Sequence, residues 1–122
     1  MLSLGRVVRK MRPVIIAFDI DGTLRNNKKA YARGSTAGIV WNDRICQMAV
    51  VLSKMKNTRM VIWSGGGRKY AEYIRDKFNE EFGKTFGSAY AKFEFNAPTP
   101  DIAFDDIQDC ILGKVNIIVR GK

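Results

Sequence analysis

Two carboxylates stand one residue apart at the end of an apolar run in the segment VIIAFDIDGTL, residues 14–24. Asp19 closes the run, and Asp21 is followed at once by Gly22. Two acids held this close repel each other unless a cation lies among them or one of them keeps a proton. The pair is therefore a candidate for metal binding or for acid–base chemistry.

Polar residues also close two later apolar runs. The run at 58–63 ends at Ser64 and a glycine turn, and the run at 100–106 closes on Asp105 and Asp106. If these runs are parallel strands, their carboxyl ends meet at one edge of a sheet, where ligands bind in such folds. The chain has no histidine, so the converging ligands are hard oxygens, and such ligands favour Mg²⁺.

Calcium is the alternative cation. An EF-hand loop has glycine at its sixth position and glutamate at its twelfth. Gly22 is only the fourth residue counted from Asp19, and the segment follows a predicted strand rather than a helix. The spacing therefore disfavours a calcium loop of that kind.

The elements that must position these acids alternate along the chain. Apolar or alternating runs predict strands, and apolar residues at helical spacing predict helices. A polar, glycine-bearing stretch at 25–41 predicts a loop. Strands are predicted at 13–19, 58–63, 88–95, 100–106 and 114–121, and helices at 42–57 and 68–83. The alternation predicts an α/β fold, a Rossmann-like parallel sheet with helices on both faces.

Length and composition are those of one ordinary domain. The 122 residues predict a single domain over 1–122. No apolar run approaches the ~18 residues of a membrane span, and the N-terminal segment lacks the apolar core of a signal peptide. We therefore expect a cytoplasmic protein with no membrane partner. Cys46 and Cys110 form no CxxC pair and are predicted to be buried free thiols.

The net charge is +9, which leaves two readings of the basic residues open. The excess favours either solubility or attraction to a phosphate-rich partner such as nucleic acid. No helix-turn-helix, zinc-finger or RNA-binding signature accompanies it. The basic residues include two clusters, Arg6, Arg9, Lys10 and Arg12, then Arg25, Lys28, Lys29 and Arg33.

Three of these segments together resemble the motifs of the haloacid dehalogenase (HAD) superfamily, a large group of aspartate-dependent phosphatases. DIDGTL is similar to the first motif of that family, VIWSGG to its second and DIAFDD to its fourth. They follow in the family's order over residues 14–106, which is most of the chain. The resemblance implies an HAD-like catalytic domain that uses Mg²⁺ and an aspartyl-phosphate intermediate.

The resemblance also implies roles for the acids. Asp19 is expected to attack phosphorus as the nucleophile. Asp21 is expected to protonate the leaving oxygen, then to activate water as a base. Asp19 and Asp105 are expected to ligate Mg²⁺ together with the backbone carbonyl of Asp21, and Asp106 is expected to do so directly or through water.

Substrate contacts are expected from the polar turns. By resemblance, Ser64 hydrogen-bonds a phosphoryl oxygen, helped by backbone N–H groups of Gly65 and Gly66 ahead of a helix. The same residues also fit a helix cap and a flexible turn. Thr23 fits either a turn residue or a phosphate donor.

The third family motif supplies a lysine that neutralises the nucleophile and the phosphate. Lys84 and Lys92 are both candidates, and Lys92 is preferred because it lies in a predicted strand 13 residues before Asp105. If neither lysine reaches the site, either catalysis is weakened or another basic residue such as Arg68 substitutes.

The interval between Gly22 and Trp63 holds one helix and leaves no room for a folded cap domain. The site is therefore expected to be open, or covered by a second copy in a homo-oligomer. We predict a magnesium-dependent phosphomonoesterase acting on a phosphorylated substrate such as a nucleotide or nucleic-acid end phosphate. The alternative is a non-catalytic binding module for nucleic acid or a protein partner. The intact pair of Asp19 and Asp21 favours the enzyme.

Overall fold

Five short parallel strands form one sheet in the computed structural model, which describes residues 11–26, 38–107 and 112–120. In chain order the strands and helices are β1 (Val14–Asp19), α1 (Asp43–Ser53), β2 (Thr58–Ser64), α2 (Arg68–Phe82), β3 (Ser88–Ala91), β4 (Ile102–Asp105) and β5 (Val115–Ile118). The strand order is β3-β2-β1-β4-β5, which confirms the predicted α/β parallel sheet. No cap domain is present among the described residues. None of the described helices is long and apolar enough to cross a membrane.

The central position of β1 sets the geometry of the sheet edge. Asp19 lies beside Trp63 of β2, so Ser64 follows one residue further along. On the other side Phe18 lies beside Phe104 of β4, and their rings stack with centroids 4.2 Å apart. The carboxyl ends of β1, β2 and β4 therefore meet at one edge, as the sequence predicts.

Both described helices pack on the same face of the sheet, and the described residues contain no helix on the other face. Ala49 of α1 and Ile74 of α2 join one core cluster with Ile16, Phe18 and Ile62. Right-handed crossovers from β1 to β2 and from β2 to β3 place both helices on one side. A helix for the other face would belong to the connection from β3 to β4, and residues 92–101 contain none.

The second face is covered by irregular chain in the described part of the molecule. Ala17, Val61 and Trp63 form a smaller core cluster there, to which Leu112 belongs and against which Ala97 packs. Among the described residues, irregular chain rather than a helix therefore buries this face of the central strands.

Several element bounds differ from the sequence prediction, β4 being Ile102–Asp105 rather than 100–106. The strand predicted at 88–95 ends at Ala91, because β3 pairs only with β2 and its last partner is Ser64. The helix predicted at 42–57 ends at Ser53, and the chain turns into β2 through Asn57, whose φ of 60° lies in the left-handed region. The last strand covers Val115–Ile118 rather than 114–121. Of the predicted loop at 25–41, residues 27–37 lie outside the described residues.

Aromatic side chains fill the core beneath the helices. Phe78 of α2 is fully buried, and its ring contacts those of Trp41, Phe82 and Phe86 at centroid distances of 5.6, 4.6 and 5.0 Å. The ring therefore packs α2 against Trp41, which precedes the helix in the chain, and against Phe86, which follows it.

We expect Phe78→Ala to lower the free energy of unfolding by about 3–5 kcal/mol, because truncation removes a buried ring and leaves a cavity. Val51→Ala is the control, since Val51 is 65% exposed and such a change stays within about 0.5 kcal/mol. Urea unfolding of wild type and the two variants measures both changes in the free energy of unfolding. Equal losses in the two variants would contradict this packing.

Candidate active site

Three carboxylates converge where β1 and β4 end. Asp19, Asp105 and Asp106 each offer an oxygen that lies within 4.8 Å of the others. Asp19 and Asp105 are buried, and Asp106 is half-buried. The structure thus brings together the side chains that the sequence predicts as metal ligands. The Asp21 side chain is outside this group, and its predicted metal contact is through the backbone carbonyl.

Lys92 lies among these acids. Its Nζ is 2.8 Å from Asp19 Oδ1 and 2.6 Å from Asp105 Oδ2, and its side chain is 8% exposed. The backbone N–H of Lys92 donates to the Ser64 carbonyl at 2.9 Å, which holds the residue at the end of β2. Lys84 is exposed. The geometry therefore places Lys92, the preferred of the two candidates, at the predicted site.

The site holds more negative charge than one lysine balances. The pKa of Asp19 is raised to about 7, with burial as the largest cause, Lys92 opposing the rise, and Asp105 and Asp106 adding to it. Burial also acts to lower the pKa of Lys92, but the neighbouring Asp19 and Asp105 outweigh burial and the net shift is upward. Three acids around one ammonium are a donor set that fits a hard divalent cation.

A buried network that the sequence analysis missed holds Asp21. The Tyr70 hydroxyl donates to Asp21 Oδ1 at 2.8 Å, and Arg25 Nη1 donates to the same hydroxyl at 2.8 Å. Arg25 Nη1 is also 4.0 Å from Asp21 Oδ1. Burial and the Asp21 contact raise the Tyr70 pKa above its ordinary value. A tyrosine in the apolar stripe of a helix needs a partner for its hydroxyl, and this was the available signal.

The turn after β1 orients the nucleophile candidate and packs Asp106. Thr23 is fully buried, and its Oγ1 donates to Asp19 Oδ2 at 3.1 Å. Thr23 therefore occupies the turn position and holds Asp19, and its contact with a phosphate stays a prediction. Gly22 has a φ of +85°, and a Cβ there would lie 2.6 Å from Asp106 Cγ. Only glycine fits at this close approach.

Ser64 organises the turn before α2. The backbone N–H of Gly66 donates to Ser64 Oγ at 2.9 Å. This amide is therefore already hydrogen-bonded within the turn. Gly65 is exposed at the sheet edge. Ser64 itself is buried beside Asp19's strand. No side chain caps α2, which disfavours the helix-cap reading of Ser64.

The structure places the described members of the two basic clusters in different surroundings. Arg25 is 2% exposed and belongs to the Asp21 network, so it is not part of a surface patch. Arg12 is paired with Asp101 through two hydrogen bonds of 2.8 and 2.7 Å, which hold the pKa of Asp101 well below its usual range. Arg68, the predicted substitute for the lysine, is paired with Glu94 at 3.0 Å. The remaining members of both clusters lie outside the described residues.

Of the two cysteines, Cys46 is buried as a free thiol, as predicted. Cys110 lies outside the described residues.

A solved structure of a Pnkp1/Rnl/Hen1 complex contains a chain with a similar fold. The TM-score is 0.62 at 14% sequence identity, and the match covers 93% of this chain and 48% of that chain. This chain therefore spans about half the length of its structural neighbour, and the likeness shows the fold. No protein-family model and no curated protein matches the sequence.

We expect Mg²⁺ to raise the melting temperature, because a cation that binds only the folded state stabilises it. At a Mg²⁺ concentration of a hundred times Kd, the free energy of unfolding would rise by about 2.7 kcal/mol. Asp105→Asn should reduce this gain, whereas Asp76→Asn should keep it, since Asp76 lies exposed on α2. Melting curves with Mg²⁺, Ca²⁺ and chelator measure the shifts. Equal Mg²⁺ shifts in wild type and Asp105→Asn would contradict the metal site.

Proposed function

We propose that this protein is a magnesium-dependent phosphomonoesterase that works through an aspartyl-phosphate on Asp19, as the HAD-like motifs imply. The observation that carries the proposal is the position of Lys92 Nζ, between Asp19 and Asp105 at the sheet edge where three carboxylates converge. An ammonium beside a nucleophilic carboxylate reduces the electrostatic repulsion between that carboxylate and an approaching phosphate. The position of Lys92 therefore fits a role in attack on a phosphate group better than a role in folding stability alone.

Asp19, Asp105 and Asp106 would hold Mg²⁺, and the backbone carbonyl of Asp21 is a further candidate ligand. The all-oxygen donor set and the uncompensated negative charge fit that ion. When bound, Mg²⁺ would neutralise charge on the phosphoryl oxygens. Lys92 and the Ser64 hydroxyl would add donors to the same oxygens.

In the first step an Asp19 oxygen attacks phosphorus, and the bond from phosphorus to the ester oxygen breaks. Thr23 and Lys92 each hydrogen-bond or pair with one Asp19 oxygen and so fix the orientation of the carboxylate. A protonated Asp21 delivers its proton to the leaving oxygen. The product of this step is the free alcohol and an aspartyl-phosphate at position 19.

In the second step the Asp21 carboxylate takes a proton from a water molecule that attacks the same phosphorus. The bond from Asp19 to phosphorus breaks, which releases inorganic phosphate and restores Asp19 as a carboxylate. Tyr70 and Arg25 hold Asp21 in place for both steps. Asp21 then keeps the proton with which the next cycle begins.

A nucleotide or nucleic-acid end phosphate is the substrate class we propose. The +9 charge favours a polyanionic partner, and the lack of a described cap domain leaves the site open to an extended molecule. A binding module would need neither Lys92 between two acids nor the second carboxylate Asp21. Phosphate release therefore decides between the two functions.

We expect wild type to release phosphate from an aryl phosphate only with Mg²⁺, and Asp19→Asn to lose at least about 10³-fold in kcat/KM, because an amide is a poor nucleophile. Asp76→Asn is the matched control and should keep full activity. Circular dichroism checks that both variants fold. Folded wild type without phosphate release from aryl, sugar, nucleotide and oligonucleotide phosphates would refute the enzyme and leave the binding module.

A further inference from the structure

A cleft of about 910 Å³ opens beside the carboxylate cluster. It lies between the start of α1 and the strands β4 and β5. Both described helices pack against β2, and α2 also packs against β3, so neither described helix packs extensively on the same face of β4 and β5. Ile117, which lies beside Phe104 in the sheet, lines the cleft and is 39% exposed for this reason.

The cleft is continuous with the candidate active site. Gly22 and Asp106 line it, and Asp106 belongs to the carboxylate cluster. Its volume lies at the upper end of the ~300–1,000 Å³ of typical ligand sites, which is far more than a phosphate group needs. A phosphoryl group held at Asp19 would therefore have its ester side leading toward this space.

The lining combines cationic, aromatic and flexible apolar side chains. Arg44 and Arg120 are exposed in the cleft, and no ion pair joins either of them to another described residue. Trp41 is half-buried, and Met48 is exposed. Asp43 is the acidic side chain on the α1 side of the lining. Unpaired guanidinium groups bind phosphates, and aromatic faces stack bases.

We propose that this cleft binds the end of a single-stranded nucleic acid. The terminal phosphate lies at Asp19, the terminal nucleotide lies against Trp41 and Met48, and the next backbone phosphates contact Arg44 and Arg120. The proposal rests on the proposed function, which it deepens by assigning the leaving-group side of the substrate. A cleft walled by a helix and a strand admits an extended chain, and its two arginines match a repeated phosphate.

The test compares the double variant Arg44→Ala/Arg120→Ala with wild type and with Arg75→Ala/Lys54→Ala. The control pair lies elsewhere, on α2 and at the end of α1, and removes the same charge. The substrates are a single-stranded hexanucleotide phosphorylated at its 5′ end, the same strand phosphorylated at its 3′ end, and p-nitrophenyl phosphate. The two oligonucleotides decide which end the cleft accepts.

We expect the cleft variant to raise KM for one of the oligonucleotides by about tenfold or more, while kcat and the p-nitrophenyl phosphate kinetics stay unchanged. The salt dependence of oligonucleotide binding should also weaken, by a log–log slope of about 0.7 for each lost phosphate contact. The control variant should change KM far less. An unchanged oligonucleotide KM, or equal losses on all three substrates, would overturn the cleft assignment.

Binding separates this proposal from the proposed function. Fluorescence anisotropy of the labelled hexanucleotide measures affinity in all three proteins without any turnover. If phosphate release fails but the cleft variant still binds the strand at least about tenfold more weakly than the control does, the enzyme is refuted and the cleft is supported. If wild type hydrolyses aryl phosphate yet binds no oligonucleotide at low salt, the cleft proposal is refuted and the enzyme stands.

Discussion

The contact of Lys92 with Asp19 and Asp105 is the interaction on which the rest of the site depends. Isolated carboxylates are costly to bury, and a pair or triad is tolerated only when its charges are matched and hydrogen-bonded. Lys92 meets two of the acids at 2.8 and 2.6 Å, and Asp105 also accepts a hydrogen bond from the Ile107 N–H. One ammonium leaves an excess of negative charge, and that excess is what suits the site to a divalent cation.

The sheet order makes this contact possible. β1 lies at the centre, with β2 and β4 on its two sides, so Asp19 and Asp105 end neighbouring strands. Lys92 comes from the turn after β3, which lies two strands away from β1, and its backbone N–H is fixed to Ser64 between them. Lys92 directly follows the last residue of β3, Ala91, so the end of this strand sets the position of the lysine.

The sequence predicted the parts of the site that are local and left out those that are built by long-range packing. Asp19, Asp105 and Asp106 close apolar runs, and a parallel sheet must gather such ends at one edge. Tyr70 lies 49 residues from Asp21 and looked like a core residue, because helical spacing does not show where a hydroxyl points. Arg25 looked like surface charge because the sequence does not show that its side chain is buried beside Tyr70. The sequence pattern did not show that the connection from β3 to β4, residues 92–101, contains no helix.

Chemical trapping of the covalent intermediate tests the central claim most directly. Wild type is mixed with a phosphomonoester and Mg²⁺ and quenched with borohydride, which reduces an acyl phosphate but not a free carboxylate. Peptide mass spectrometry then shows whether each aspartate has been reduced to homoserine. The account predicts homoserine at position 19, dependent on substrate and absent from Asp105 and Asp106. Steady turnover with no substrate-dependent homoserine at position 19 would contradict the nucleophilic role of Asp19.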